Sequence, residues 1–207
     1  MSIKPRPKIP DQVKALAPLW KTDTEQIKLK LNKAPYSIFV ATPVHDQCSI
    51  HYTQGLLEFQ QLCIKRNVDV TFAIMKSSLV TQGRNLCVSN FLESDYTHML
   101  FVDSDILFNA ETIFKMISRD KDIISVPYPL KTLAYNKVFD KFKKGEIKNA
   151  QDIQKWSNLY PMKVLNEKDI TVDNGVIEVT HSPTGCMLIK RGVFAKLIQK
   201  YPDKAIV

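Results

Sequence analysis

Glycine is scarce in this chain, 6 of 207 residues, and no run approaches the ~18 consecutive apolar residues that a membrane-crossing helix needs. A Gly-rich or collagen-like chain is thereby excluded. The phosphate loop G-x-x-x-x-G-K-[ST], the dinucleotide turn G-x-G-x-x-G, the zinc motif H-E-x-x-H and the nucleophile elbow G-x-S-x-G are all missing. Phosphate-loop kinases, dinucleotide-dependent enzymes, zinc proteases and serine hydrolases therefore lose their usual support. Cys48, Cys63, Cys87 and Cys186 are far apart and form no C-x-x-C pair, which fits buried thiols in a reducing compartment. The start MSIKPRPKIPDQ is basic and Pro-rich and lacks the apolar block of a secretion signal. A cytoplasmic protein with no membrane span is expected.

What is present is the composition of one globular domain, 44% hydrophobic and 24% charged. The 29 Lys and Arg outweigh 21 Asp and Glu by +8, a balance that favours anionic partners. Lysines are spread through the chain and read as solvated helix faces. No basic stripe interleaved with aromatics stands out, so no nucleic-acid partner is expected.

Residues 1–19 hold four prolines and read as a tail, and TDTEQIKLKLNK (22–33) as a short amphipathic helix. From Tyr36 the pattern becomes regular. YSIFVAT reads as a strand buried on both faces, and Ser49 can cap a helix over residues 50–66. VDVTFAIM is then a strand, TQGRNLCVSNFLES a helix, THMLFVD a strand, AETIFKMISRD a helix and DIISVPYP a strand. This alternation predicts an α/β fold with a mainly parallel central sheet and helices on both faces, spanning about residues 36–127. Residues 128–207 predict a smaller mixed or antiparallel part: a polar, Lys-rich and partly helical 130–170, strands near 170–173, 176–180 and 185–190, and a helix over 193–201.

In such sheets ligands bind at the carboxyl ends of the strands. That edge collects Thr42, Pro43 and Val44, then Lys76 to Arg84, then Asp103-Ser104-Asp105. With 14 Asp in the chain, about one D-x-D is expected by composition alone, and Asp120/Asp122 supplies another, so context decides. Asp103 closes the apolar run HMLFV and Asp105 follows two residues later, which brings two carboxylates together at the sheet edge. Such a pair is costly unless a cation sits beside it, and its hard oxygens suit Mg²⁺ or Mn²⁺. The alternative is an ordinary strand-to-helix turn with Asp105 near the helix start. Arg84, with Gly83 before it and Asn85 after it, can pair with a diphosphate or with one of these carboxylates, or be a plain exposed Arg. His45, His51 and His98 read as loop or structural residues, and His181 as a possible further ligand at the edge.

The order of pieces resembles the nucleotide-diphospho-sugar glycosyltransferases of GT-A fold, in particular small bacterial and chlorovirus ones. The matching segments are an apolar strand ending in ATP, a helix carrying RN, a strand ending in THMLFVDSD, the strand IISVPYP and the segment TGCMLIKR. The resemblance implies a UDP- or GDP-sugar donor, a saccharide or protein acceptor, and a bound Mn²⁺ or Mg²⁺. Thr42, Pro43 and Val44 would line the nucleotide, Arg84 would contact the diphosphate or hold the DSD loop, and Asp103 would face ribose or sugar. Asp105 would bind the metal, Lys76 would help neutralise the leaving group, and Thr184 and Gly185 would lie beside the sugar or acceptor.

In the enzymes it resembles, an acidic segment carrying the base and then a metal-binding His follow the part matching TGCMLIKR. The sequence here stops at Val207, so a truncated or separately encoded domain is one expectation, and a base supplied from elsewhere, such as Asp173, Glu178 or the polar 140–170 region, is another. The catalytic base is left unassigned. Two other functions share the pattern: a nucleotide-sugar-binding domain without turnover, and a sugar nucleotidylyltransferase, although TPVHDQCS lacks the glycines the latter uses.

Overall fold

β-Branched and aromatic runs alternate with amphipathic ones, and the chain folds accordingly in a computed structural model that describes residues 34–166 and 169–204. The expected tail (1–19) and helix (22–33) lie outside the described residues. β1 (Ser37–Val44), β2 (Asp69–Lys76) and β3 (His98–Val102) alternate with α1 (Ile50–Lys65) and α2 (Val80–Leu92), then α3 (Ala110–Ser118) leads to β4 (Ile123–Ser125). Ser49 caps α1 by accepting from the Tyr52 amide, as expected, and Asn109 caps α3 on Thr112.

The second part holds α4 (Tyr135–Lys143), α5 (Ala150–Ser157), β5 (Lys163–Val164), β6 (Val172–Asp173), β7 (Val176–Ile177), β8 (Val179–His181), β9 (Cys186–Lys190) and α6 (Arg191–Lys200). β6 and β7 form a hairpin turned by Asn174 and Gly175, both at positive φ, the Asn-Gly turn that matches strand twist.

The main sheet is mixed, in the order β2-β1-β3-β9-β4. β1 pairs with β2 and β3 in parallel, whereas β9 is antiparallel to both β3 and β4. β4 therefore runs in the direction of β1–β3 but is separated from them by a strand from the far end of the chain.

Successive side chains of one strand point to opposite faces, and the sheet is covered on both. Ile38, Val40, Leu100, Val102 and Leu188 pack with Phe59 of α1 and Ile113 of α3. Phe39, Ala41, Met99, Phe101 and Ile189 pack with Phe91 of α2 and Phe194 of α6. This two-sided burial is why β1 and β3 read as unbroken apolar runs instead of alternating ones. The free Cys63, Cys87 and Cys186 are part of these cores, and burial pushes their thiols up to about 12, 11 and 12. Among the described residues no helix is long and apolar enough to cross a membrane.

Candidate functional site

The strand directions decide what meets at the carboxyl edge of β1 and β3. β9 runs the other way, so its entry lies at this edge: Val102 pairs with Cys186, and the Asp103 amide donates to the Gly185 carbonyl at 2.8 Å. Thr184-Gly185 is thereby brought beside the Asp103-Ser104-Asp105 loop. β4 exits at the same edge, carrying Tyr128 and Lys131 after it, with the Val126 amide donating to Cys186. The loop is also tied to the start of α1, where the Ser49 amide donates to the Ser104 carbonyl at 2.8 Å.

Arg84 is held from three sides. Its Nη2 lies 2.6 Å from Asp103 Oδ1, its Nη1 donates to the Thr184 carbonyl at 3.4 Å, and its guanidinium stacks 4.8 Å from the Phe101 ring centre. Of the two roles open to Arg84 in the sequence, holding the Asp103 loop is the one seen. Gly83 lies close against its neighbours: a Cβ there would stand 3.1 Å from Ser77 Cβ and 3.2 Å from Pro43 Cβ. Burial pushes the Asp103 carboxyl above its usual range; Arg84 opposes the rise and Asp105 adds to it.

Asp105 is exposed and forms its ion pair with Lys131, Nζ to Oδ2 at 2.5 Å. This hydrogen bond and the carboxylate charge raise the Lys131 pKa. Lys131 and Tyr128 are site residues that sequence reasoning missed, because the strand-edge rule was applied only to the first three strands. Applied to β4 as well, the rule would have reached both. Burial, and then the charge of Asp103, raise the Tyr128 phenol. Gly185 is enclosed: a Cβ at that position would come within 2.5 Å of Ile106 Cδ1 and 2.7 Å of the Tyr128 hydroxyl. The glycine therefore lets the backbone pass beneath the tyrosine.

Other residues singled out in the sequence are spread along the fold. Thr42 is fully buried, its hydroxyl 2.7 Å from that of Tyr52, and Val44 is buried too. Of Thr42, Pro43 and Val44 only Pro43 keeps partly open side-chain surface. Lys76 is exposed and lies 3.9 Å from Asp46. His98 sits at the opposite end of β3, hydrogen-bonded to Thr97 at 2.8 Å. His181 is exposed on β8 with Thr180 as partner. Asp173, in the β6–β7 hairpin, accepts from the side chain of its neighbour Asn174.

Two carboxylates with hard oxygens stand at this edge. Arg84 engages one Asp103 oxygen and Lys131 one Asp105 oxygen, which leaves Asp103 Oδ2 and Asp105 Oδ1 as hard donors. No group of three or more His, Cys, Asp or Glu converges among the described residues. Two carboxylates with phosphate and water completing the sphere is the usual Mg²⁺ arrangement, so the residues fit such an ion.

No protein-family model matches the chain, and no curated protein matches it. Among solved structures, the chain is similar to A197 from STIV, at 18% identity and a TM-score of 0.45, over 77% of this chain and 68% of that one.

Proposed function

We propose that this chain is a metal-dependent glycosyltransferase of GT-A type that moves a sugar from a nucleoside-diphosphate donor to a saccharide or protein acceptor. The observation that carries the reading is the Arg84–Asp103 pair beside Asp105 at the carboxyl edge of the parallel strands. Two carboxylates and two cationic side chains from three chain segments meet there, on an edge where α/β sheets bind their ligands. An exposed strand-to-helix turn would not need Arg84 to hold it.

In this reading Asp105 and Asp103 would hold Mn²⁺ or Mg²⁺, which when bound would supply positive charge near the departing diphosphate. Arg84 keeps Asp103 at the edge and fixes the Thr184 carbonyl beside the sugar. Lys131 exchanges Asp105 for a phosphate oxygen when donor arrives, adding charge stabilisation to the leaving group. Pro43 borders the nucleotide, and Tyr128, packed over Gly185, borders the sugar.

The experiment is release of UDP or GDP from a panel of nucleotide sugars with Mn²⁺. Turnover that disappears in Asp105→Ala supports the reading. Donor binding without nucleotide release replaces it with a binding domain, and neither binding nor release refutes both.

A further inference from the structure

The 130–170 stretch, read from sequence as polar, Lys-rich and partly helical, folds into something more specific. Residues 131–163 carry eight Lys against three acidic residues, a net +5 of the chain's +8. α4 and α5 pack as a hairpin, and the strand-like segments before α4 and after α5 are joined by the Leu130 amide to Leu159 and the Ala134 amide to Ser157. α4 buries none of its side chains. Yet Tyr135, Val138, Phe139 and Phe142 recur at i, i+3, i+4 and i+7, the spacing of one apolar stripe. Tyr135, Phe139 and Phe142 are 73%, 57% and 64% exposed. Asp140, the acidic residue of α4, falls on the far side of the helical wheel, whereas Lys143 flanks the stripe. The expectation that no basic segment is interleaved with aromatics is thus corrected: the fold gathers one.

The chemistry of the face selects its partner. Base stacking needs open aromatic faces, but Lys143 Nζ lies over the Phe139 ring at 4.4 Å, and Lys141 covers Trp156 at 4.2 Å with Lys137 and Lys155 around it. With a face of Phe139 and of Trp156 taken by lysine and the Tyr135 and Phe142 rings open and apolar, the stripe suits insertion between lipid chains, with the lysine stems along apolar surface and their heads at phosphate level. We propose that the α4–α5 hairpin docks on an anionic lipid membrane, inserting the Tyr135–Phe139–Phe142 stripe while lysines of the hairpin meet the headgroups. The proposal does not depend on the glycosyltransferase reading. Lys131, at the root of the hairpin, contacts Asp105, so docking would hold the candidate site next to the membrane surface.

The test is co-sedimentation of the full chain with vesicles of phosphatidylcholine alone or mixed equally with phosphatidylserine, at low and high salt. The expected result is binding to the anionic vesicles that weakens with salt. Phe139→Ser/Phe142→Ser should partition at least ~10-fold more weakly, since two exposed rings lose their insertion and their replacement costs no core packing. Lys143→Glu should also weaken binding, and circular dichroism should show both variants folded. No sedimentation with anionic vesicles overturns the proposal, as does full binding by the Phe variant. Retention on polyuridylate with no vesicle binding overturns it in favour of RNA.

Discussion

Arg84 and Asp103 lie nineteen residues apart in the chain and 2.6 Å apart in space, the guanidinium coming from the first turns of α2 and the carboxylate from the end of β3. Both are largely shielded from water, so neither tolerates loss of its partner. Arg84→Ala should lower unfolding free energy by about 1–3 kcal/mol, the cost of leaving a part-buried charged group unsatisfied. Adding Asp103→Asn should recover part of that loss. Urea unfolding of the four proteins in the cycle measures the coupling, and additive effects would show that the pair is not formed in solution.

Lys131 competes for the oxygens that a cation would use. Its side chain is 85% exposed, so the pair with Asp105 is weak. Lys131→Ala should therefore tighten Mn²⁺ binding by less than about fivefold, while weakening UDP binding in the presence of Mn²⁺. Paramagnetic titration of free Mn²⁺ reads the first effect and calorimetry the second. An unchanged Mn²⁺ affinity would place any cation away from Asp105.

Arg191 fastens the other end of α2. Its guanidinium donates to the carbonyls of Phe91 at 2.7 Å, Ser94 at 2.5 Å and Tyr96 at 2.7 Å, and stacks on the Phe91 ring at 4.3 Å. These include a last-turn helix carbonyl, where a cation also meets the negative end of the helix dipole. Arg191→Ala should cost about 2–4 kcal/mol, as several charge-assisted hydrogen bonds are lost together. Arg191→Lys should recover little of it, because one ammonium cannot span three carbonyls. Thermal unfolding of the two variants checks both statements.

His98 gives the fold a pH dependence. Burial, and then the nearby Lys190, hold its imidazole below the usual 6.5. The unfolded chain therefore takes up a proton before the folded one does. Stability should be full above about pH 6.5 and fall as pH drops from there through the depressed folded value. His98→Gln should flatten this part of the profile of urea midpoint against pH. A wild-type profile already flat over that window would contradict the assignment.

The first half of the fold was legible because each helix there packs on a local βαβ neighbourhood, so period alone separates β1, α1, β2, α2 and β3. Strand order was not. β9 inserts between β3 and β4 through contacts that span most of the chain, and no local pattern encodes that pairing. The site was legible at Asp103, Asp105 and Arg84 because strand ends are marked by the switch from apolar to polar residues. Thr42 misled for the same reason: its hydroxyl looks like a strand-end ligand but is satisfied by Tyr52 within the core. Lys131 was missed because the strand-edge rule stopped at β3, although the fourth strand was expected to run with the first three. The α4 stripe was diluted by intervening lysines, and its exposure is a fact of packing that periodicity does not carry.

The most direct test of the donor-site reading is a thermal-shift panel of UDP, GDP, CDP and their common sugar conjugates, each with and without Mn²⁺. A ligand at about 100 times its Kd adds about 2.7 kcal/mol, which is a rise of several degrees for a domain of this size. One nucleotide should raise Tm only with Mn²⁺ present, and the rise should vanish in Asp105→Ala. An unchanged Tm across the whole panel, in protein that unfolds cooperatively, would contradict the account.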